Sequence, residues 1–269
     1  MSMLKRLVVG SLLAITFMVS STAMAGDTLK RVIDSKVLKV GMTADQPPMN
    51  AVSSSGQYMG YDVDLANALA GAMQVKLEIV KMPFGDLMTA LEKGKIDMVA
   101  SGMAITPERS LKVSFVGPYI MSGKSILTKN SVLAKIESSE EFNRKDLKLV
   151  ALKNSTSSSF ISAVAPDATL IEVADYEEGV AMVINGTADA MVADMPACML
   201  SILRHPDAGL ATLSSPVTIE PIGIAISKKD PQFLNLIDNY LETYSNMGLL
   251  EKLNAKWFVD KSWIAALPR

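Results

Sequence analysis

The chain has a single cysteine, Cys198, and a single histidine, His205, in 269 residues. One thiol makes no intramolecular disulfide, so an oxidising compartment is tolerated without being used for stability. One Cys and one His also fall short of the three or four N and S ligands of a transition-metal site, and no metal or other cofactor is expected. Cys198 lies in a helix-like run and reads as a small buried apolar residue. An excess of either charge is missing too, with 26 Lys and Arg against 28 Asp and Glu. That balance, with no basic block, argues against a nucleic-acid partner. Repeats and low-complexity linkers are absent. The one long apolar run is at the start, Leu7 to Val19, about 13 residues where a bilayer span needs roughly 20. Lys5 and Arg6 precede it and Ala23-Met24-Ala25 follows, which is the pattern of an export signal cleaved after Ala25. Removing residues 1–25 takes the formal net charge from −2 to about −4 and leaves about 244 residues. That length suits one large domain or two moderate ones.

Strand-like and helix-like runs alternate through the rest of the chain, the pattern of an α/β protein with mostly parallel sheets. Val37 to Met42 reads as a strand. Asp64 to Met73 reads as a helix, with Leu65, Ala68, Leu69 and Ala72 at three- and four-residue spacing. Lys76 to Lys81 is a second strand, Phe84 to Lys93 a helix stopped by Gly94, and Ile96 to Ala100 a third strand. The plan then restarts: strand Lys148 to Leu152, helix Ser155 to Val164, strand Thr169 to Val173, helix Tyr176 to Asn185, strand Ala190 to Ala193. Two extended apolar stretches, Gly117 to Lys129 and Pro216 to Ser227, cross between the two sets. They point to two lobes joined by two strands, with helices Pro231 to Asn246 and Leu249 to Trp257 returning to the first lobe.

Three segments carry chemistry. In Ser101-Gly102-Met103-Ala104-Ile105-Thr106-Pro107-Glu108-Arg109, Thr106 is a helix N-cap, Pro107 suits the first helical position and Glu108 suits the positive end of the dipole. Arg109 does not fit that scheme, because a cation is unfavourable in a first turn. It is explained if it meets an anion at the helix mouth, where a planar guanidinium grips a carboxylate in two parallel hydrogen bonds. The alternative is a solvated surface Arg. Asn154-Ser155-Thr156-Ser157-Ser158-Ser159 offers hydroxyls and N–H groups at a second helix start, and reads equally as plain capping. Asp194 follows a buried-looking strand, at the carboxyl end where open α/β sheets place ligands. It reads either as a cap before Pro196 or as a carboxylate that pairs with an ammonium. An anion grip in one lobe and an ammonium partner in the other match the two ends of an α-amino acid, and a ligand touching both lobes drives their closure.

With these residues in view, the chain resembles the polar amino acid binding proteins of ABC importers, the bacterial extracellular solute-binding family 3. The segment Gly60-Tyr61-Asp62-Val63-Asp64-Leu65 matches the family signature G-[FY]-[DE]-x-[DE]-[LIVMF]. Gly94-Lys95-Ile96-Asp97, Ile105-Thr106-Pro107-Glu108-Arg109, Gly117-Pro118-Tyr119, Ala188-Asp189-Ala190 with Asp194, Gly223-Ile224-Ala225 and Lys256-Trp257-Phe258 follow in family order. The resemblance implies a two-lobed type II periplasmic-binding-protein fold. Lobe 1 would comprise residues 26–122 and 219–269, lobe 2 residues 123–218, with crossings near Tyr119 to Gly123 and Thr218 to Ile222. It implies that Arg109, helped by Thr106 and the backbone near Ala104 and Thr156, holds an α-carboxylate. It implies that Asp194 and the backbone at Ser101 or Gly102 take the α-amino group. Phe84 corresponds to an aromatic packed on the ligand side chain, and Lys153, Ser157 and Thr43 to pocket positions that vary with specificity. The implied partners are a free L-amino acid and an inner-membrane ABC permease, for a monomer in the periplasm. The chain departs from the pattern where Gln46-Pro47-Pro48-Met49 replaces a loop aromatic, where Thr43 stands for an acid common in binders of basic amino acids, at Ala104, which lacks the usual hydroxyl, and at Ser155, which replaces a common glycine.

Other readings compete with this one. The same scaffold has become a cyclohexadienyl dehydratase, whose chemistry needs an ionisable group placed for proton transfer in the cleft. Lys153 and Glu220 are the nearest candidates, and neither sits in a catalytic motif. A sensory module and a carrier of a small carboxylate are further readings, and Asp194 argues against the second, because an acid repels an anion.

Overall fold

The computed structural model describes residues 28–268 apart from 132, 137 and 138. The export signal expected over residues 1–25 lies outside the described residues. Among the described residues, no helix is long and apolar enough to cross a membrane.

The chain opens with α1 (Thr28–Ser35), β1 (Val37–Met42), and three short strands β2 (Asp45–Gln46), β3 (Asn50–Val52) and β4 (Tyr58–Met59). It continues through α2 (Tyr61–Ala72), β5 (Lys76–Lys81), α3 (Phe84–Glu92), β6 (Met98–Val99) and α4 (Pro107–Ser110) to the long β7 (Ser114–Ser122). Gly123 breaks the strand. β8 (Lys124–Thr128), β9 (Lys148–Leu152), α5 (Thr156–Val164), β10 (Thr169–Val173), α6 (Tyr176–Ile184), β11 (Ala190–Asp194), α7 (Met195–Arg204) and β12 (Ala211–Thr212) follow. β13 (Glu220–Ile226), α8 (Pro231–Asn246) and α9 (Leu249–Asn254) complete it.

Two five-stranded sheets of like plan result, in the orders β5-β1-β6-β13-β7 and β10-β9-β11-β8-β12. Each has a parallel trio, β5-β1-β6 or β10-β9-β11, built by βα units with right-handed crossovers as the expected hand. Each is extended by antiparallel strands, so the sheets are mixed where the sequence pattern suggests mostly parallel ones. The reason is that the crossing stretches do not merely connect the lobes. They pair into the sheets, β13 between β6 and β7, and β8 between β11 and β12. The small sheet β2-β3-β4 is too short to leave a periodic trace in sequence.

β5, β9, β10 and β11 each run within a few residues into a helix, while β1 and β6 end in loops, and the functional segments gather at the strands' carboxyl ends. The first lobe packs Leu65 and Leu69 of α2 with Met98, Ile224, Phe233 and Trp257. A second apolar cluster runs from Phe84, Leu87 and Val99 to Leu152, Tyr176 and Val180, so the two lobes touch. The signature motif explains part of this. Asp64 accepts from Lys256 Nζ at 2.6 Å and Trp257 Nε1 at 2.8 Å, tying the C-terminal segment to α2.

Candidate functional site

The end of the cleft built by the first lobe is organised by Thr106 and Arg109. Thr106 caps α4, its Oγ1 accepting from Arg109 N at 3.2 Å, and Pro107 supplies a first-turn residue with no N–H to satisfy. The Arg109 side chain then turns to the cleft. Its Nη1 donates to Ala104 O at 2.8 Å and its Nη2 to Asn154 O of the second lobe at 3.2 Å, while the guanidinium carbon stands 5.5 Å from the Phe84 ring centroid. Burial pulls its pKa below the ordinary value, partly offset by Glu220, Asp194 and Glu108. Among the described residues it forms no ion pair, and a guanidinium has five N–H donors, of which two carbonyls satisfy two. A cavity of about 540 Å³ opens beside it, lined by Phe84, Met88, Thr106, Asn154 and Thr156. Asn154 Nδ2 also donates to Gly85 O at 3.4 Å, a second bond between the lobes.

The other end holds a cluster that the sequence does not announce. In register with Asp194 across β8 and β11 stands Lys124, whose Nζ lies 2.6 Å from Asp194 Oδ1 and 2.7 Å from Glu220 Oε2. Only 3% of the Lys124 side chain is exposed. Burial alone would lower its pKa, but the two carboxylates outweigh that and hold it above the ordinary value. Thr156 Oγ1 donates to Glu220 Oε2 at 2.9 Å, so α5 steadies the cluster. Asp194, expected to face a ligand ammonium, therefore already has a cation on one oxygen. Lys124 is the member of this cluster that the sequence reading misses. Its one visible signal is a charge in an apolar crossing, and its partners are 70 and 96 residues away.

The floor is a buried polar network. Gly102 N donates to Asp62 Oδ2 at 2.9 Å, Asn50 Nδ2 to the same oxygen at 2.9 Å and Tyr119 OH to Asp62 Oδ1 at 2.6 Å. Thr43 Oγ1 donates to Asn50 Oδ1 at 2.9 Å, and Thr43 N to Ser101 Oγ at 3.1 Å. The Thr43 hydroxyl and the Gly102 N–H are thus committed to the buried network. Burial pushes Asp62 up to about 6, against the pull of Tyr119, Asn50 and Gly102. Its folded value lies above the 3.8 of an exposed aspartate, so the folded chain holds this proton more tightly than the unfolded one. The contribution of Asp62 to stability then rises as pH falls from about 6 towards 3.8, by on the order of 3 kcal/mol in all. We predict that the melting temperature of the wild type gains on that of Asp62→Asn across this window; parallel pH profiles would refute it.

The remaining positions divide. Ser155 caps α5, accepting from Ser158 N at 3.1 Å, and Ser158 Oγ donates to Glu172 Oε1 at 2.7 Å, so much of the Ser-rich run is structural. Ser157 is buried in the first turn of α5, and Lys153 is exposed at the strand-to-helix turn beside Asn154. Gln46, where the loop aromatic is missing, is buried and donates through Nε2 to Tyr176 OH of the second lobe at 3.3 Å, while its Oε1 has no partner. Cys198 is buried in α7, and burial pushes its thiol up to about 12. A thiol reagent is expected to label it only after unfolding, and rapid labelling of the native chain would contradict that.

Residues 38–260 match the family described as bacterial extracellular solute-binding proteins, family 3. The cyclohexadienyl dehydratase of Pseudomonas aeruginosa is 26% identical over 262 residues, 97% of each chain. The ABC transporter arginine-binding protein 1 of Escherichia coli is 28% identical over 225 residues, 82% of this chain and 90% of that one. Among solved structures, the ancestral amino acid-binding protein AncCDT-1, a precursor of cyclohexadienyl dehydratase, superposes with a TM-score of 0.78 at 37% identity, covering 86% of this chain and 99% of that one. The fold is the two-lobed type II periplasmic-binding-protein architecture.

Proposed function

The chain belongs to the bacterial extracellular solute-binding proteins, family 3, and from that membership we propose that it is the periplasmic substrate-binding component of an ABC importer. It holds a free amino acid between its lobes without turning it over, and hands it to an inner-membrane permease. The observation that carries this reading is Arg109, a partly buried guanidinium bonded to both lobes, with hydrogen-bonding capacity to spare and no ion pair among the described residues. Such a group in a cleft is satisfied by a carboxylate, gripped in the two-bond geometry that Lys cannot reproduce. Thr106 and Ala104 orient it, and the first-turn N–H groups at Thr156 and Ser157, which have no intrahelical partner, add to the anion grip. The ligand ammonium goes to Asp194 and the carbonyls of Ser101 and Gly102. Phe84 gives the apolar wall, and Lys153 and Thr43 stand at the margins.

In this reading residues 1–25 are removed on export, and the mature monomer closes about crossings at 122–123 and 218–219. Lobe 1 is then residues 26–122 with 219–269, and lobe 2 residues 123–218. The test is a thermal-shift screen of residues 26–269 against the twenty amino acids, since a ligand bound only by the folded form raises the melting temperature. A shift by one or a few amino acids supports the carrier. No shift by any of them overturns it.

One observation favours a second reading. Lys124, Asp194 and Glu220 place ionisable groups inside the cleft, as proton transfer requires, and a relative that matches over 97% of both chains is a dehydratase. Under this reading the purified chain consumes prephenate or arogenate. Stable substrate over hours at micromolar protein excludes it.

A further inference from the structure

Four charged side chains share the interior of the cleft. Arg109 stands at the carboxylate end, and Lys124, Asp194 and Glu220 form the cluster at the other, with side-chain exposures of 3%, 13% and 14%. The charges at the rim, Glu108 and Lys112, are exposed and screened by solvent. Asp45, a further half-buried acid between the lobes, is pushed towards its neutral form by burial and has Lys81 as counter-charge. Asp62 lies beneath the floor, fully buried, with its oxygens bonded to Asn50, Gly102 N and Tyr119, and Lys153 is exposed at the rim. The four side chains that remain to meet a ligand are two positive and two negative, and balance one another before any ligand enters.

We infer that Lys124 selects the net charge of the ligand: by neutralising one of the two carboxylates at the ammonium end, it fits the cleft to amino acids with uncharged side chains and turns away the basic ones. This rests on the amino-acid reading above. Without Lys124 the interior would hold Asp194 and Glu220 against Arg109 alone, one negative charge in excess, and a ligand with a net positive charge would restore balance. With Lys124 present, a zwitterion of zero net charge preserves the balance, and a second cation in the ligand is left without a partner in a desolvated site. The lysine is tethered by its own backbone in β8 and sits behind the carboxylates, so a ligand cannot expel it to water. Glu220 is pinned as well, by Thr156 Oγ1 at 2.9 Å. Among the described residues the side-chain bond to Asp194 falls on Oδ1, which leaves Oδ2 for the ligand ammonium.

The experiment is titration calorimetry on ligand-stripped, refolded protein, with glutamine and leucine as neutral probes, arginine and lysine as basic ones, and glutamate as the acidic one. The wild type is expected to favour its best neutral ligand over either basic one by about 100-fold or more, the scale of an unpaired charge at a buried site. Lys124→Met shifts the ratio towards the basic probes, and Glu220→Gln shifts it towards glutamate. The double variant Lys124→Met/Glu220→Gln, balanced again at one positive and one negative group, returns to neutral ligands; it also keeps the test alive where Lys124→Met alone leaves too much uncompensated buried charge to fold. A merely structural role for Lys124 lowers all affinities alike, and that result overturns the inference. So does a wild type that binds arginine or lysine as tightly as neutral amino acids. A wild type that binds no amino acid at all defeats the carrier reading itself, and is told apart by its blank titrations.

Discussion

Replacing Arg109 by alanine is expected to weaken amino acid binding by about 1,000-fold while the chain stays folded. The size follows from what is removed and what is left behind. The guanidinium is the only described cation at the carboxylate end that is drawn into the cleft by fixed backbone acceptors, Ala104 O and Asn154 O. Truncation leaves the ligand carboxylate desolvated with only helix N–H groups to meet it. Arg109→Lys keeps the charge but loses the planar fork and the stacking on Phe84, so an intermediate loss, about 10- to 100-fold, is the expected result. Calorimetry gives the affinities and circular dichroism the melting curves. The effect on folding is small, because the α4 cap comes from Thr106 and not from the arginine side chain. Affinity within tenfold of wild type in Arg109→Ala would sink the assignment of the carboxylate subsite.

The second large effect falls on stability. Gly123→Ala places a Cβ 2.1 Å from Thr218 O and 2.7 Å from Pro216 Cβ, and the first of these is backbone that has nowhere cheap to go. Around this point Gly123 O accepts from Met195 N at 2.9 Å, Lys124 N donates to Thr218 Oγ1 at 2.9 Å and Lys124 O accepts from Val217 N at 2.8 Å. Separating the strands enough to admit a methyl strains all three bonds, and a loss of about 3 kcal/mol is expected in denaturant unfolding. Gly71→Ala is the control. It lies on an exposed turn of α2 with open space where the Cβ would go, and helix propensity predicts a neutral or slightly stabilising change of up to about 1 kcal/mol. If both variants unfold alike, the crossing is looser than its distances imply.

The parts of this molecule that were legible in its sequence are those governed by local rules. β1, β5, β9 and β10 have the bounds expected from the sequence: the interior strands β1 and β9 as short apolar segments, the edge strands β5 and β10 as more mixed ones, each punctuated by turn residues. The run from Gly117 to Lys129 was readable only as one extended crossing, whereas Gly123 divides it between two sheets, a division set by partners far away in the chain. The same distinction runs through the cleft. Arg109 stands out in sequence as a cation in a helix's first turn, but α4 is a single turn, Pro107–Ser110, in which Arg109 belongs equally to the last turn, so what marks the residue in the structure is its reach to Ala104 O and Asn154 O. Lys124 shows locally only as a charge in an apolar crossing, and it acquires meaning when β11 brings Asp194 alongside it and β13 brings Glu220. Glu220 is visible in sequence as an ionisable residue near a crossing, but nothing local points to Lys124 as its partner. Thr43 illustrates the converse, a residue at the right place along the chain whose hydroxyl is bonded away from the ligand space.

The position of β13 has a consequence for the order of events during synthesis. It is the last strand in the chain, yet it lies between β6 and β7, strands completed about a hundred residues earlier. The first sheet is therefore missing an interior member until most of the polypeptide has been made, and its core remains without Ile222, Ile224 and Ile226 for that time. The second sheet, by contrast, uses only strands from one uninterrupted stretch, β8 to β12. A nascent chain of this topology assembles its middle before its beginning, and closing the long loop to β13 is a late and entropically expensive step. Until that step the lobe bearing the amino terminus has no finished core, and that end of the chain stays open to any machinery that must handle it unfolded.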